Sequence, residues 1–405
     1  MKKYIFWILL LYNVVFAKNI DEIISKALQQ NPKLKAIQNE LKAYKEREIF
    51  VSSLDDPIIS FSINDIQFSY KPFIRDLEPM QTINIGISQE IPWLKKLNLR
   101  KEVISKIYNK KYFYLKNLKL EMIYSIYKNA FKYWEIEEKL KIIKEYEKVA
   151  KHLIEFSNTL YSVGKVSQAD ALNAQVFYTK LKEREEKLIK EKQAILSKLS
   201  YYTSFNVKNI TIYPIKPYEL KDLENLKKLV LQKNPQIKIF KARIDKRNKE
   251  LKLAKSEYKP DFKFFANYSY RQGFKDYVSL GVSFNLPVWK KYRQNKKVLE
   301  MAYFKSKEER LYKDVKNKII SQLEESFYNA NSYYDSYKIF DGYLLFQSQK
   351  VYESVISEYQ VGKKNIFDVV KALNQILDVK IKLVELIANF NISYKNIEKL
   401  TGEIK

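Results

Sequence analysis

The sequence predicts a mostly helical chain that also carries four membrane-type β-strands and consists of two copies of one structural plan. The strands are indicated by period-two alternation: Ile83, Ile85 and Ile87 alternate with polar or small residues, so such a strand has one apolar and one polar face. Each alternating run is about ten residues long, which suits a tilted strand that crosses a bilayer. The runs are residues 57–69, 82–91, 261–271 and 277–287.

The duplication is visible in short motifs that recur in the same order. The first two matches lie 203 residues apart (234 − 31 and 260 − 57) and the third lies 198 apart (359 − 161). A period of this size is far too long for a solenoid repeat, so each half follows the order helix, two strands, long helix, turn, helix. The matches are Asn31-Pro32 with Asn234-Pro235, Pro57 with Pro260, and Tyr161-Ser-Val-Gly164 with Tyr359-Gln-Val-Gly362.

The first 17 residues have the pattern of a signal peptide. Lys2 and Lys3 precede an apolar run, and Val15-Phe16-Ala17 fits a cleavage site with small residues, so Lys18 is expected to begin the mature chain. An exported protein follows from this reading.

The remaining boundaries follow the repeat. The first repeat, 18–204, is expected to hold a helix at 19–53, two strands and a helical hairpin at 95–204. A linker at 205–220, marked by Pro214 and Pro217, can add a short strand at 210–213. The second repeat, 221–405, has a helix at 221–257, two strands and a hairpin at 290–402, with its long helix at 290–357.

The long helices and the strands each require partners. From about Lys95 to Phe156 no Gly or Pro interrupts the chain, which gives roughly 90 Å of helix and predicts coiled-coil or bundle packing. Backbone groups in hydrocarbon must all be paired, so membrane strands must close into a barrel. Four strands are too few, because the smallest filled barrels have about eight; three chains would supply twelve.

Composition narrows the function classes. The chain has no cysteine and one histidine, His152, which excludes a thiol nucleophile and a lipidated cysteine and leaves little for a soft-metal site or a nucleophile–base pair. There is also no nucleotide-binding loop. The net charge of +27 could suit nucleic acid, but the lysines are spread over every helix and the chain is exported. We therefore expect no enzyme activity, no cofactor and no nucleic-acid partner.

The chain resembles the TolC-like outer-membrane factors of tripartite efflux and type I secretion systems. The marks are the helix opening ALQQNPKLKA at 27–36 and its weaker repeat LQKNPQIKIF at 231–240, the strand exits QEIPW and FNLPVW, and above all the turns YSVGKVSQADALNA at 161–174 and YQVGKKNIFDVVKALN at 359–374. The resemblance implies a homotrimer with a twelve-stranded outer-membrane barrel and a periplasmic helical tunnel. It also implies a periplasmic adaptor and an inner-membrane pump as partners.

The resemblance further implies that the two turns form a periplasmic gate. Gly164 and Gly362 can adopt the left-handed conformation that ends a helix and reverses the chain. A carboxylate in the first turn of the returning helix is favoured by the helix dipole alone, which is the structural alternative to a gating role. The expected gate residues are Tyr161, Gly164, Asp170, Tyr359, Gly362, Lys364 and Asp368.

Within this gate, Lys364 is expected to pair with Asp170 where the tips adjoin, and Tyr359 to hydrogen-bond the same carboxylate. Asp368 is expected to favour cations, although a second acidic position of the family falls on Lys371. The predicted function is a passive exit duct in the outer membrane that extends into the periplasm. The alternative is a structural periplasmic coiled-coil protein without a channel.

Four positions on two of the predicted strands distinguish the exit duct from the coiled-coil protein without a channel. Ile85 and Val282 are expected to face lipid, whereas Asn84 and Ser283 are expected to face the lumen, because they lie on opposite faces of their strands.

Overall fold

The computed structural model describes residues 18–66, 68 and 79–404, so the predicted signal peptide at 1–17 lies outside it. The predicted fold class, mostly helical with a small antiparallel sheet, is confirmed. The described residues form two compact units, one from 18–35, 116–234 and 317–404, the other from 36–66, 79–115 and 235–316. The helices are α1 Ile20–Gln30, α2 Pro32–Phe50, α3 Leu94–Ser162, α4 Gln168–Thr203, α5 Leu223–Lys233, α6 Pro235–Ser256, α7 Gln294–Ile339, α8 Leu345–Gln360 and α9 Ile366–Thr401.

An asparagine–proline pair divides the first helix of each repeat. Asn31 and Asn234 have nearly the same backbone angles, φ −59° and ψ 122° against φ −57° and ψ 123°. The following proline excludes the helical conformation at the asparagine and starts a new helix. Each asparagine side chain donates to a carbonyl near the end of the returning helix, Asn31 to Tyr202 O at 3.0 Å and Asn234 to Leu400 O at 2.8 Å. The duplication therefore extends to side-chain contacts.

The second unit holds a four-stranded antiparallel sheet. The strands of the described residues are β1 Lys18–Asn19, β2 Ile58–Asn64, β3 Thr82–Ile91, β4 Ile210–Thr211, β5 Phe262–Tyr270 and β6 Tyr277–Phe284. The order in the four-stranded sheet is β2–β3–β5–β6, so the two hairpins are joined by the β3·β5 pair. A separate two-stranded parallel pair joins β1 to β4 in the first unit.

Some element ends differ from the predicted ones. The ladder of β2 ends at Asn64, before Asp65, whose φ of +59° leaves the extended region; residues 67 and 69–78 lie outside the structure. β6 ends at Phe284, ahead of Pro287, which has no N–H for a ladder. The long helix predicted at 290–357 begins at Gln294 and is interrupted by a π-helical turn at Phe340–Leu344.

The sheet exposes its apolar face. In β3, Ile83, Ile85 and Ile87 are exposed, whereas Asn84 on the opposite face is only 4% exposed. Asn84 Nδ2 donates to Ser62 Oγ at 3.3 Å and to Thr82 Oγ1 at 3.1 Å. A sheet on a water-soluble core has the reverse arrangement, with the apolar face covered.

The hairpin ends in the first unit share one hydrophobic core. It includes Leu153 of α3, Phe177 of α4, Tyr359 of α8 and Leu373 of α9, so both hairpins pack together near their turns. None of the helices in the described part of the chain has a segment long and apolar enough to span a bilayer.

Candidate gate at the paired helix turns

The two predicted turns have the same backbone structure. Gly164 has φ +71° and Gly362 has φ +76°. In the first turn Gly164 N donates to Tyr161 O at 2.9 Å and the next amide to Leu160 O at 2.9 Å; in the second, Gly362 N donates to Tyr359 O at 3.1 Å and the next amide to Glu358 O at 2.9 Å. These paired bonds define a Schellman motif, which requires the left-handed residue that glycine supplies.

The returning helices are capped differently. Ser167 caps α4 in a capping box: Asp170 N donates to Ser167 Oγ at 3.2 Å, and Asp170 Oδ2 accepts from Ser167 N at 3.0 Å. Asn365 caps α9 through its Oδ1, which accepts from Asp368 N at 3.0 Å. Asp170 is therefore part of its own helix cap, whereas the cap of α9 uses only the backbone of Asp368.

Asp170 also contacts the other hairpin. Its second carboxylate oxygen, Oδ1, accepts from Ile366 N at 3.4 Å. Ile366 is the first residue of α9 and is fully buried in the shared core. A single carboxylate thus caps one returning helix and binds an unsatisfied amide at the start of the other, where the helix dipole favours negative charge.

The two turn tyrosines, which are equivalent in sequence, have different environments. Tyr161 is 47% exposed, whereas Tyr359 is 1% exposed and packs edge-on against Phe156 with ring centroids 5.9 Å apart. The hydroxyls of Tyr359 and Ser157 lie 3.2 Å apart within hydrogen-bond distance. Burial raises the pKa of Tyr359 above its usual value, and the nearby Asp170 carboxylate acts in the same direction. Within the chain, the Tyr359 hydroxyl is thus paired with Ser157 and not, as predicted, with Asp170.

The basic residues of the second turn are exposed. Lys364 has no carboxylate oxygen within 4.0 Å among the described residues, so the predicted Lys364–Asp170 ion pair does not form within one chain. Both carboxylate oxygens of Asp170 already accept a hydrogen bond, from Ser167 N and from Ile366 N. Asp368 is half-buried and Lys371 exposed.

Sequence reasoning missed two residues of this region. Ser167 could have been found from the Ser-x-x-Asp spacing of a capping box. Ser157 has no such signal, because its partner Tyr359 is 202 residues away.

The single histidine, His152, is exposed beside Glu155. No group of three His, Asp or Glu side chains that could hold a metal occurs in the part of the chain that the structure covers.

Known proteins resemble this chain in two ways. Residues 226–403 match the family described as outer membrane efflux protein, and no curated protein sequence matches the chain. Three solved structures share its fold at 12–14% identity. They are the CmeC outer membrane channel of Campylobacter jejuni (14% identity, TM-score 0.77, 95% of this chain and 86% of that one), the outer membrane protein VceC of Vibrio cholerae (14%, 0.78, 95% and 97%), and the open state of the MtrE outer membrane channel of Neisseria gonorrhoeae (12%, 0.76, 95% and 89%).

The chain therefore has the fold of these outer membrane channels over nearly its whole length, and residues 226–403 match the outer membrane efflux protein family, in agreement with the predicted resemblance to TolC-like factors.

Proposed function

We propose that the protein is the outer-membrane exit duct of a tripartite efflux or type I secretion system and that it works as a homotrimer. The observation that carries this proposal is the sheet whose alternating apolar side chains, such as Ile85 and Leu280, are exposed, while Asn84 on the opposite face is buried among hydrogen-bonded polar side chains. In water such a face would be an aggregation or docking surface, whereas in a bilayer it is the lipid-facing side of a barrel wall.

The same observation weighs against a periplasmic coiled-coil protein without a channel. A sheet that merely closed a helical bundle would place Ile85 and Leu280 against the helices, yet Ile85 is 45% and Leu280 79% exposed. The polar face, with Asn84 and Asn267 in contact at 3.5 Å, fits a wall that borders a water-filled lumen.

Transport in this proposal is passive and follows from geometry. The chain has no nucleotide-binding loop, so energy must come from an inner-membrane pump, and the duct performs no catalysis. The barrel opens the outer membrane and the helical hairpins extend into the periplasm.

The hairpin turns support an adaptor as the periplasmic partner. Val163, Leu172, Val361 and Phe367 are exposed around the two turns, next to lysines such as Lys364. Exposed apolar groups with a polar rim are typical of protein-binding sites. We assign this surface to the adaptor and the turn residues to the gate.

The proposal is tested by location and conductance. The protein should fractionate with the outer membrane, and the purified trimer should form discrete, ohmic single channels in planar bilayers. Recovery in the soluble periplasmic fraction, without channels from correctly folded protein, would favour the structural alternative.

The gate is tested with Asp170→Ala, which removes the contact between the hairpins at Ile366 N. Channel conductance or open probability should rise, because one of the bonds that hold the returning helices together is lost. Glu155→Ala is the control, since Glu155 is an exposed carboxylate near the same turn that pairs with His152 and makes no contact with the other hairpin among the described residues. Equal conductance of both variants in intact trimers would remove Asp170 from the gate.

Ion selectivity gives a separate test of Asp368. Three copies near the narrowed lumen would favour cations, so Asp368→Asn should lower the cation preference measured from the reversal potential. Lys371 opposes this preference, and Lys371→Gln should therefore raise it. An unchanged reversal potential in both variants would place these side chains outside the conducting path.

A further inference from the structure

One row on the polar face of the sheet includes apolar side chains. The residues paired side by side in this row are Ile58, Ser88, Phe265 and Gly281, one from each strand. Ile58 is 61% and Phe265 is 41% exposed. All other residues paired on this face of the described sheet carry a polar group or are glycine. The row therefore interrupts an otherwise polar wall.

The Phe265 ring lies flat on the neighbouring strand, over Gly281. A Cβ atom added at Gly281 would lie 2.2 Å from Cζ of this ring and 2.6 and 2.8 Å from its two Cε atoms. The small spread of these distances places that position above the face of the ring and not beyond its edge. Glycine inside a strand often marks such a close approach. One face of the ring thus contacts the wall, and the other faces away from it.

The adjacent row on the same face is charged. Glu90 lies opposite Lys263, and Lys263 lies opposite Ser283. Lys263 precedes Phe265 by two residues, so the two side chains share a face about 7 Å apart along the strand. Glu90 and Lys263 have opposite charges, so this row gives no net preference for the charge of a solute. Selection at this level of the wall therefore depends on the ring.

Resting on the proposed duct, whose lumen the polar face borders, we propose that Phe265 is a specificity-determining residue that contacts planar aromatic groups of solutes in transit. Aromatic groups stack, offset, on an exposed ring face with centroids about 4.5–7 Å apart. Side chains on a strand usually stand roughly perpendicular to the sheet, and here the missing Cβ of Gly281 provides the space in which the ring lies flat. Gly281 is thus a positioning residue for Phe265.

The test compares two neighbouring phenylalanines. Phe265→Leu removes the ring and keeps an apolar side chain. Phe264→Leu is the matched control, because Phe264 is 45% exposed and lies on the opposite, apolar face of the same strand. The readout is the reduction of single-channel current in planar bilayers by benzyltrimethylammonium. Its saturated analogue, cyclohexylmethyltrimethylammonium, has the same charge and a similar size and serves as the reference probe.

The aromatic probe should reduce the current of the wild-type channel at lower concentration than the saturated probe does. Phe265→Leu should raise the half-blocking concentration of the aromatic probe about 2- to 10-fold, which corresponds to the loss of one aromatic pair. It should leave that of the saturated probe unchanged, and Phe264→Leu should change neither. Benzenesulfonate and cyclohexanesulfonate repeat the comparison with the opposite charge and should show the same dependence on Phe265.

Further variants separate the ring from its position. Phe265→Tyr keeps the ring and should keep the preference for the aromatic probe. Gly281→Ala keeps Phe265 but places a Cβ where the ring lies, so it should lower the preference as Phe265→Leu does. Ser283→Thr adds one carbon to the next residue on the polar face of β6 and should have no effect. If Phe265→Leu does not assemble, the comparison of Gly281→Ala with Ser283→Thr decides.

The outcomes separate this inference from the proposed function. Equal block by aromatic and saturated probes in the wild type, an unchanged preference in Phe265→Leu, or an equal loss in Phe264→Leu would overturn the aromatic site and leave the duct in place. An unchanged preference in Gly281→Ala would overturn the positioning role of the glycine. A folded, assembled protein that forms no channels would overturn the proposed function and this inference with it.

Discussion

The first helical hairpin passes through α3 as one unbroken helix of 69 residues, whereas the second has a π-helical turn at Phe340–Leu344 between α7 and α8. Their turns nevertheless have the same Schellman bonds. The comparison shows that local sequence reproduces the Schellman turn in both halves, while longer-range contacts make the halves different. A π-helical turn inserts a residue into the helix and is common at functional positions, so we expect the second hairpin to deform more readily.

The segments that follow β3 and β6 also differ between the two repeats. Asp261 accepts hydrogen bonds from Lys96 Nζ at 2.8 and 2.9 Å and from Trp93 N at 2.8 Å, which fixes the base of the β3·β5 pair. The equivalent Lys291 is exposed and faces no such group in the described chain. The contact within one chain is thus anchored by a buried ion pair that its repeat equivalent lacks.

The largest predicted effect comes from removing the Lys96–Asp261 ion pair, which is present in only one of the two repeats. Asp261→Asn leaves Lys96 buried with a weaker partner, and should lower the free energy of unfolding by about 3 kcal/mol, the lower end of the range for a broken buried pair. Glu257, 3.7 Å from Lys96 Nζ, limits the loss. Chemical denaturation of the solubilised protein measures it, with Lys291→Met as the control expected to stay within about 0.5 kcal/mol. Equal effects would show that the two lysines are equivalent after all.

Both repeats contribute to the apolar face of the sheet, and the next prediction tests whether that face contacts lipid. Val282→Arg and its repeat equivalent Ile87→Arg should each cost about 2–4 kcal/mol at the bilayer midplane and should reduce the yield of assembled protein. Ser283→Arg is the matched control, because Ser283 is exposed on the polar face. Asn84, the other residue predicted to face the lumen, is buried among hydrogen-bonded neighbours and is therefore unsuitable as a control. Similar yields for Val282→Arg and Ser283→Arg would contradict a lipid-facing sheet.

The two turns should respond alike to loss of glycine. Gly164→Ala and Gly362→Ala should each destabilise by about 1–2 kcal/mol, because a side chain is strained at these positive φ angles, although a Cβ would meet no atom within 4 Å at either position. Gly342→Ala in the π-helical turn also meets no atom within 4 Å, and its φ is not positive. It should therefore be neutral or stabilising by about 0.5–1 kcal/mol. Thermal unfolding of the three variants gives the comparison, and a large loss at Gly342 alone would reverse it.

The smallest effect distinguishes the turn tyrosines. Tyr359→Phe removes the hydrogen bond to Ser157 and should destabilise by about 0.5–1.5 kcal/mol. Tyr161→Phe should change stability by less than about 0.5 kcal/mol, since Tyr161 is exposed and forms no such bond in the structure. Indistinguishable unfolding curves for the two variants would mean that the buried hydroxyl contributes nothing.

Sequence reasoning succeeded where the signal was periodic or local. Alternation located the strands of the sheet, and glycine spacing located both turns, because the left-handed residue of a Schellman motif is usually glycine. It failed where a contact joins distant residues. Nothing near Tyr359 indicates Ser157, and nothing near Lys96 indicates Asp261, 165 residues away. The predicted Lys364–Asp170 pair does not form within one chain, where Asp170 instead accepts from Ser167 N of its own cap and from Ile366 N of the other hairpin.

One chain supplies a third of the proposed closed duct, so the mass of the intact particle decides whether the duct assembles as proposed. Native mass spectrometry of protein extracted from membranes in detergent should give a complex of three mature chains, with its four-stranded sheets joined edge to edge. A monodisperse, folded monomer would rule out the proposed trimeric duct, because the edges of β2 and β6 would then have to exist unpaired in the membrane.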